Sequence, residues 1–226
     1  MAQWADEAEF ALSVPDHLSY AEAAAIPCAG ITAFNALFES GQTTKDSTVL
    51  VLGSGGVSVY GAQFAKAVGA RVIATTSSGE KAEKYKSLGV DHVINYRDTP
   101  NWAQEVKRLT DGEGVDQVLE IGGKGTLMEA IRSVKPKGVV HIISGSNEAP
   151  SYSAPDLAFA IIGAEAKLNG IATGGKAVAE RLDSFIIQHR IKPLLDPKVF
   201  GWTEVKEAFR YLEQGSHFGK VVIKID

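Results

Sequence analysis

The chain has 226 residues, 45% of them hydrophobic and 22% charged, with a formal net charge of −4; this fits one large globular domain or a domain with fragments, and it offers no basic footprint for nucleic acid. One cysteine, Cys28, excludes internal disulfides and a four-cysteine zinc site. No apolar run reaches the length of a membrane span, and the opening MAQWADEAEF holds three acids and no basic n-region, so a reducing, cytoplasmic setting without signal peptide or membrane is expected.

Residues 1–20 carry a short apolar piece, Phe10 to Val14, followed by Pro15 and a turn. Residues 21–38, AEAAAIPCAGITAFNALF, read as a helix broken near Pro27 and Gly30. An apolar strand over 48–53 then stops at Gly53-Ser54-Gly55-Gly56, and a helix over 56–68 follows with Val57, Tyr60, Phe64 and Val68 on one face. After it come strands at 71–76, 92–96, 115–121 and 138–144, alternating with helices at 79–88, 101–110, 124–134, 156–163 and 175–189. Thr203 is placed to N-cap a helix to about Glu213, with Gly215 and a final strand from Gly219 to Ile225 behind it. The strand runs are nearly all apolar, as strands buried on both faces of a parallel sheet must be. Repeated β-α units with right-handed crossovers predict an α/β fold, a doubly wound parallel sheet of the Rossmann kind.

The strand, glycine turn, helix and strand over 48–76 are the most informative stretch. Such a turn leaves backbone N–H groups of Ser54, Gly55, Gly56 and Val57 facing outward at a helix N-terminus, where they and the helix dipole suit a pyrophosphate. Gly53 would allow the tight turn and Gly55 the close approach of phosphate. The third glycine position of the G-x-G-x-x-G pattern holds Ser58 instead, small enough to keep helix and sheet close. The alternative is a glycine-rich turn that binds nothing.

Cofactor choice is read at the end of the second strand, where an Asp or Glu would bond a ribose 2′-OH. Thr75, Thr76, Ser77 and Ser78 stand there instead, with Lys81 in the first turn of the next helix. Hydroxyls and an ammonium suit a 2′-phosphate, which predicts NADP(H). Lys81 as a solvated helix residue and Tyr96 as a packing residue are the plainer readings. Gly122 and Gly123 end the fourth strand, and Ser144-Gly145-Ser146 the fifth, at the carboxyl edge where ligands of open α/β sheets lie. Asp116 and Glu120 are the acids inside an apolar strand, Glu120 toward the cleft; neither is given a catalytic role. Tyr60 is expected to pack.

GSGGVSVYGAQFAKAVGARVIATTSS, EKAEKYKSLGVDHVINYR, DGEGVDQVLEIGGKGTL, PCAGITAFNALF and the terminal FGKVVIKI together resemble the medium-chain dehydrogenase/reductase superfamily, in its zinc-type alcohol dehydrogenase-like and quinone oxidoreductase-like branch. The resemblance runs from about Ser13 to Ile225. It implies that residues 1–20 are a remnant of a GroES-like catalytic domain, 21–214 a dinucleotide-binding domain with a leading helix, and 215–226 a returning strand of the catalytic domain, most of which is missing. It implies that positions matching Ser77, Lys81 and Tyr96 surround the 2′-phosphate, that the loops at Gly122, Gly123, Ser144 and Gly145 flank the adenosine and nicotinamide ribose, and that Thr32 lies near the nicotinamide. Thr32 can equally bond its own helix backbone. Cys28 matches a catalytic zinc ligand of some relatives, yet none of the histidines has ligand spacing with it; a small buried cysteine is the reading adopted, with no metal. Residues 164–172 resemble the edge strand that pairs across a dimer axis, implying a homodimer.

The expected function is transfer of hydride, with NADPH, to or from a small carbonyl, enone or quinone substrate, without zinc. The catalytic residues stay unassigned. The alternative is a truncated relative that has lost redox activity and serves as a nucleotide-binding module, or as a repurposed non-redox catalyst, for instance in a specialised biosynthetic pathway.

Overall fold

The computed structural model describes residues 11–144 and 152–225. Six parallel strands form the main sheet: β1 (Thr48–Val51), β2 (Arg71–Thr76), β3 (His92–Asn95), β4 (Val115–Glu120), β5 (Val134–Ile142) and β6 (Lys167–Gly170), in the order β3-β2-β1-β4-β5-β6. The chain winds outward one way from β1 to β3, then returns to the centre and winds the other way from β4. The expected doubly wound α/β sheet is therefore present, and its direction reverses between β1 and β4.

Alternation along the strands fills two cores, one on each face. Val49, Val51, Val72, Ala74 and Leu119 point to one face. There they meet α2 (Ala29–Phe34), α3 (Gly56–Ala67), α4 (Gly79–Ser87) and α8 (Lys176–His189) through Phe34, Phe64, Tyr85 and Leu182. Leu50, Leu52, Ile73 and Val118 point to the other. That face is covered by α5 (Trp102–Leu109), α6 (Leu127–Ser133) and α7 (Ala154–Ala164) through Trp102, Val106 and Ile131. Helix α3 lies very close to the sheet because of Gly61: a Cβ there would stand 2.7 Å from Leu119 Cδ2. Ser58, fully buried, donates to the Leu52 carbonyl at 2.5 Å and ties the helix start to the end of β1.

Several boundaries differ from the sequence expectation. The leading helix is two pieces, α1 (Tyr20–Ala24) and α2, with a π-helical turn over Asn35–Glu39. The break lies at residues 25–28, so Gly30 is not a breaker but sits inside α2. Strand β5 starts four residues before 138, through a register shift opposite Val115 and Gln117, with Lys137 at φ +67°. The helix expected over 124–134 is a 3-10 turn, Gly123–Gly125, followed by α6. Thr203 caps nothing: it lies in a 3-10 turn, Trp202–Glu204, and α9 (Val205–Glu213) begins after Glu204, whose carboxylate accepts from the Gly201 N–H at 2.8 Å.

Residues 11–20, expected to be part of a catalytic-domain remnant, form no strand; Leu12, Val14 and Pro15 line a hollow with Pro27, Ile31 and Ile186. The final strand, β8 (Lys220–Lys224), pairs in parallel with β7 (Leu195–Gly201), which had no counterpart in the sequence reading.

Candidate functional site

The carboxyl ends of β1, β2 and β4 open onto a cavity of about 460 Å³, lined among others by Gly53, Thr75, Tyr96, Trp102, Gly122 and Thr126. It lies where the strand order reverses, the place where open α/β sheets leave a crevice between diverging connections. A larger hollow of about 860 Å³ lies between α6 and α7 around Pro136. It is remote from the glycine turn and borders Tyr152, next to residues outside the described ones, so the smaller cavity is the better candidate.

The glycine turn has the conformation expected of it. Gly53 has φ +72°, a region that side-chain-bearing residues enter only with strain, so it provides the sharp exit from β1. Gly55 is the N-cap of α3, and as a glycine it offers the first-turn N–H groups of this 12-residue helix no side-chain acceptor. A Cβ on Gly55 would meet no heavy atom within 4 Å. The glycine therefore is not required by protein packing, and its bareness leaves room in front of the N–H groups. These observations fit a pyrophosphate group held by Ser54, Gly55, Gly56 and Val57.

Around this turn the structure gathers partners that the sequence did not announce. Tyr85, fully buried on α4, donates its hydroxyl to the Gly53 carbonyl at 2.6 Å. Burial pushes its phenol well above the ordinary range, so it remains a donor. The Gly53 N–H reaches Thr75 Oγ1 at 3.3 Å. The Gly219 N–H donates to the Ser54 carbonyl at 3.0 Å, and Gly55 and Gly219 form an isolated parallel bridge. Lys220 lays its aliphatic stem against Gly56, where a Cβ would collide with its Cδ. The one local signal for this arrangement was the Gly-Lys pair at 219–220, and only the tertiary fold gives it a neighbour.

At the end of β2 stand hydroxyls and no carboxylate. Thr75 and Thr76 are buried, and Thr76 Oγ1 has no hydrogen-bond partner among the described residues. Ser78 is the N-cap of α4, its hydroxyl accepting from the Lys81 N–H at 3.4 Å, and Ser77 precedes it, half-buried. Lys81 Nζ donates to the Gly215 carbonyl at 2.5 Å. Partial burial, and then Lys84, draw its ammonium below the usual lysine range. Tyr96 is exposed and lines the cavity; its N–H bonds the Thr76 carbonyl at 3.0 Å.

At the end of β4, Glu120 is fully buried. One carboxylate oxygen accepts from the N–H of Gly122 and of Gly123, each at 2.7 Å, and from Thr126 Oγ1 at 2.6 Å. The other oxygen has no partner among the described residues. Burial raises its pKa against the pull of those three donors. Glu120 thus holds the loop whose Gly122 and Thr126 form one cavity wall, a role the sequence reading had not given it. Ser144 is exposed just past β5, and Gly145 lies outside the described residues. Thr32 donates to its own helix at Cys28 O, 2.7 Å, and is 5% exposed. Tyr60 packs as expected, its hydroxyl buried without a partner among the described residues.

Cys28 is exposed rather than buried, which corrects the sequence expectation; it sits at the break before α2. Among the described residues no three His, Cys, Asp or Glu side chains converge as metal ligands. The described residues do not make up a tetrahedral zinc site.

Among known proteins, the family model for zinc-binding dehydrogenases matches residues 56–187. A zinc-type alcohol dehydrogenase-like protein of Schizosaccharomyces pombe is 40% identical over 215 residues, covering 94% of this chain and 62% of that protein. The crystal structure of an NAD-dependent alcohol dehydrogenase superposes with a TM-score of 0.84 at 32% identity, over 94% of this chain and 61% of that one. The mycobacterial protein Rv1454c, solved with NADPH, gives 0.82 at 27% identity, over 93% and 67%. The chain spans about three-fifths of the length of curated relatives of this kind. The glycine turn between β1 and α3, the reversed sheet and these similarities agree: the chain belongs to the zinc-binding dehydrogenase family, within the medium-chain dehydrogenase/reductase superfamily.

Proposed function

We propose that the chain is an oxidoreductase that uses NADPH to move hydride to or from a small carbonyl, enone or quinone compound, without zinc. The observation that carries the cofactor choice is the end of β2. Similar structures include one described as NAD-dependent and one solved with NADPH, so the fold leaves the choice open, and the local residues are what support NADPH. Here no carboxylate stands to bond a ribose 2′-OH or to repel a 2′-phosphate, and Lys81 places an ammonium one helical turn into α4.

In this reading Ser54, Gly55, Gly56 and Val57 hold the pyrophosphate through backbone N–H groups. Ser77, Lys81 and Tyr96 surround the 2′-phosphate end. Gly122 and Gly123, fixed by Glu120, with Ser144 and Gly145, flank the ribose moieties, and Thr32 stands on the nicotinamide side. When bound, the nicotinamide supplies the hydride. The chain's part is to hold and orient it and to keep water from the apolar walls formed by Trp102 and Ile121. No general acid is assigned, so water or a substrate hydroxyl delivers the proton. We also propose a cytoplasmic homodimer: β6 is an edge strand of the main sheet, and pairing with its copy would cover its open backbone groups.

Calorimetric titration with NADPH and then NADH tests the reading. Tight, NADPH-selective binding that Lys81→Glu weakens far more for NADPH than for NADH supports it. Equal losses for both nucleotides would sink the 2′-phosphate assignment. Binding without turnover of any carbonyl, enone or quinone acceptor would favour a nucleotide-binding module. Absence of binding by either nucleotide would favour a repurposed, non-redox role.

A further inference from the structure

Helix α9 stops on a glycine. Gln214 is its C-cap, and Gly215, the next residue, has φ +63°, the left-handed turn with which helices commonly end. The Gly215 N–H bonds back to the Leu212 carbonyl at 3.0 Å, while the Gly215 carbonyl accepts from Lys81 Nζ of α4 at 2.5 Å. The ammonium therefore stands just past the C-terminal end of α9, where the helix dipole favours a cation. A Cβ on Gly215 would meet no heavy atom within 4 Å. Its backbone angle, and not crowding, is what requires glycine here.

The same segment is tied to the glycine turn. The Gly219 N–H donates to the Ser54 carbonyl at 3.0 Å. Between Gly215 and Gly219, the Phe218 N–H donates to Asp196 Oδ2 at 3.0 Å, and the Phe218 ring meets that of Tyr85, one turn beyond Lys81 on α4. Residues 215–219 thus link the Lys81 ammonium to the turn read as the pyrophosphate cradle, and both ends of the link are hydrogen-bonded.

We propose that Gly215 is a positioning residue for NADPH selectivity, its carbonyl holding the Lys81 ammonium in place before the nucleotide arrives. This rests on the reading of Lys81 as a 2′-phosphate ligand given above. An ammonium carries three donors, so one N–H stays on Gly215 while the others reach a phosphate oxygen. A lysine stem left free samples many rotamers, and ordering it at the moment of binding costs affinity. With Gly215 in place, the ordering is completed during folding. NADH carries no 2′-phosphate and gains nothing from it. Discrimination between the two nucleotides then depends on a backbone carbonyl 134 residues further along the chain than the lysine it holds.

Calorimetry of the full chain with NADPH and with NADH tests this in wild type, Gly215→Val, Lys81→Met and the double variant. A β-branched residue resists the left-handed turn, so Gly215→Val displaces the carbonyl. It should weaken NADPH binding about fivefold, the cost of ordering one long side chain, and leave NADH binding unchanged. In the Lys81→Met background the same substitution should not affect NADPH binding, because the ammonium it positions is gone. Gly215→Asn, which accepts this backbone angle, should recover most of the selectivity. If Gly215→Val does not fold, Gly215→Ala supplies the same comparison with less strain. Equal losses for both nucleotides, no loss for either, or an undiminished loss in the Lys81→Met background each overturn the proposal. Failure of the underlying reading looks different: wild type then binds neither nucleotide, or Lys81→Met affects both alike.

Discussion

Tyr85 of α4 donates its hydroxyl to the carbonyl of Gly53, 2.6 Å away, while its ring meets Phe218 edge-on at 5.0 Å between centroids. One side chain thus supports the glycine turn from beneath and holds the segment that crosses it. Tyr85→Phe keeps the ring contact and leaves a partly buried carbonyl with one donor fewer. It should cost about 1 kcal/mol in urea unfolding and weaken nucleotide binding severalfold. Wild-type stability and affinity together would show that the hydroxyl does not hold the turn.

Gly55→Val separates fold from ligand. The position has φ −76°, and a Cβ there meets open space, so the variant should fold with a Tm close to wild type. The added methyl groups would occupy the space a pyrophosphate needs, and affinity for NADPH and NADH should fall together by about 100-fold or more. Undiminished binding in the folded variant would refute the assignment of the turn.

Glu120 offers a contrast between two substitutions. Glu120→Ala strands the N–H groups of Gly122 and Gly123 and the Thr126 hydroxyl, at a cost of about 2–3 kcal/mol, and slackens the cavity wall. Glu120→Gln retains one oxygen for the same three donors and replaces only the unpartnered one. It should stay near wild type in both chemical denaturation and nucleotide affinity. Equal damage from both substitutions would mean that the carboxylate charge, and not its acceptor geometry, holds the loop.

His141 sets an acid limit. It is fully buried on β5, with Nε2 3.0 Å from Gln117 Oε1, and burial draws its pKa down to about 4. The unfolded chain takes up this proton near pH 6.5 and the folded chain does not until about pH 4. Between those values the unfolded state binds more protons, so stability rises with pH and is lost on acidification. The full effect is about 3 kcal/mol. Urea unfolding of wild type and His141→Gln at pH 7.5 and 4.5 checks this. The variant costs stability at pH 7.5, and its disadvantage should shrink at pH 4.5. A gap that stays constant would contradict it.

What was legible in the sequence was local. Strand β2 matched its expected bounds because Arg71 to Thr76 is a short apolar run between glycines. The glycine turn was legible because the positive φ at Gly53 demands the residue found there and Gly55 follows it at the spacing of the dinucleotide-binding pattern. Strand β7 was not, because Asp196 and Pro197 read as turn residues until β8 arrives to pair with them. The role of Glu120 was hidden because its three donors come from a loop whose shape no periodicity encodes. Likewise, nothing near Ser54 in sequence announces Gly219, since their hydrogen bond joins residues far apart along the chain. Gly219 has φ +79°, and a Cβ on it would collide with the Leu194 carbonyl. That requirement too becomes visible only once β7 is in place.

The bond between Ser54 and Gly219 has a consequence for the order in which the protein matures during synthesis. The residues that form β1, the glycine turn and α3 leave the ribosome well before residues 215–220, and the parallel pairing of β1 with β2 and β4 can be in place before those residues are made. The turn gains this fastening only when residues 215–220 are released. A nascent chain stalled before them would carry the paired strands with the glycine turn unsecured.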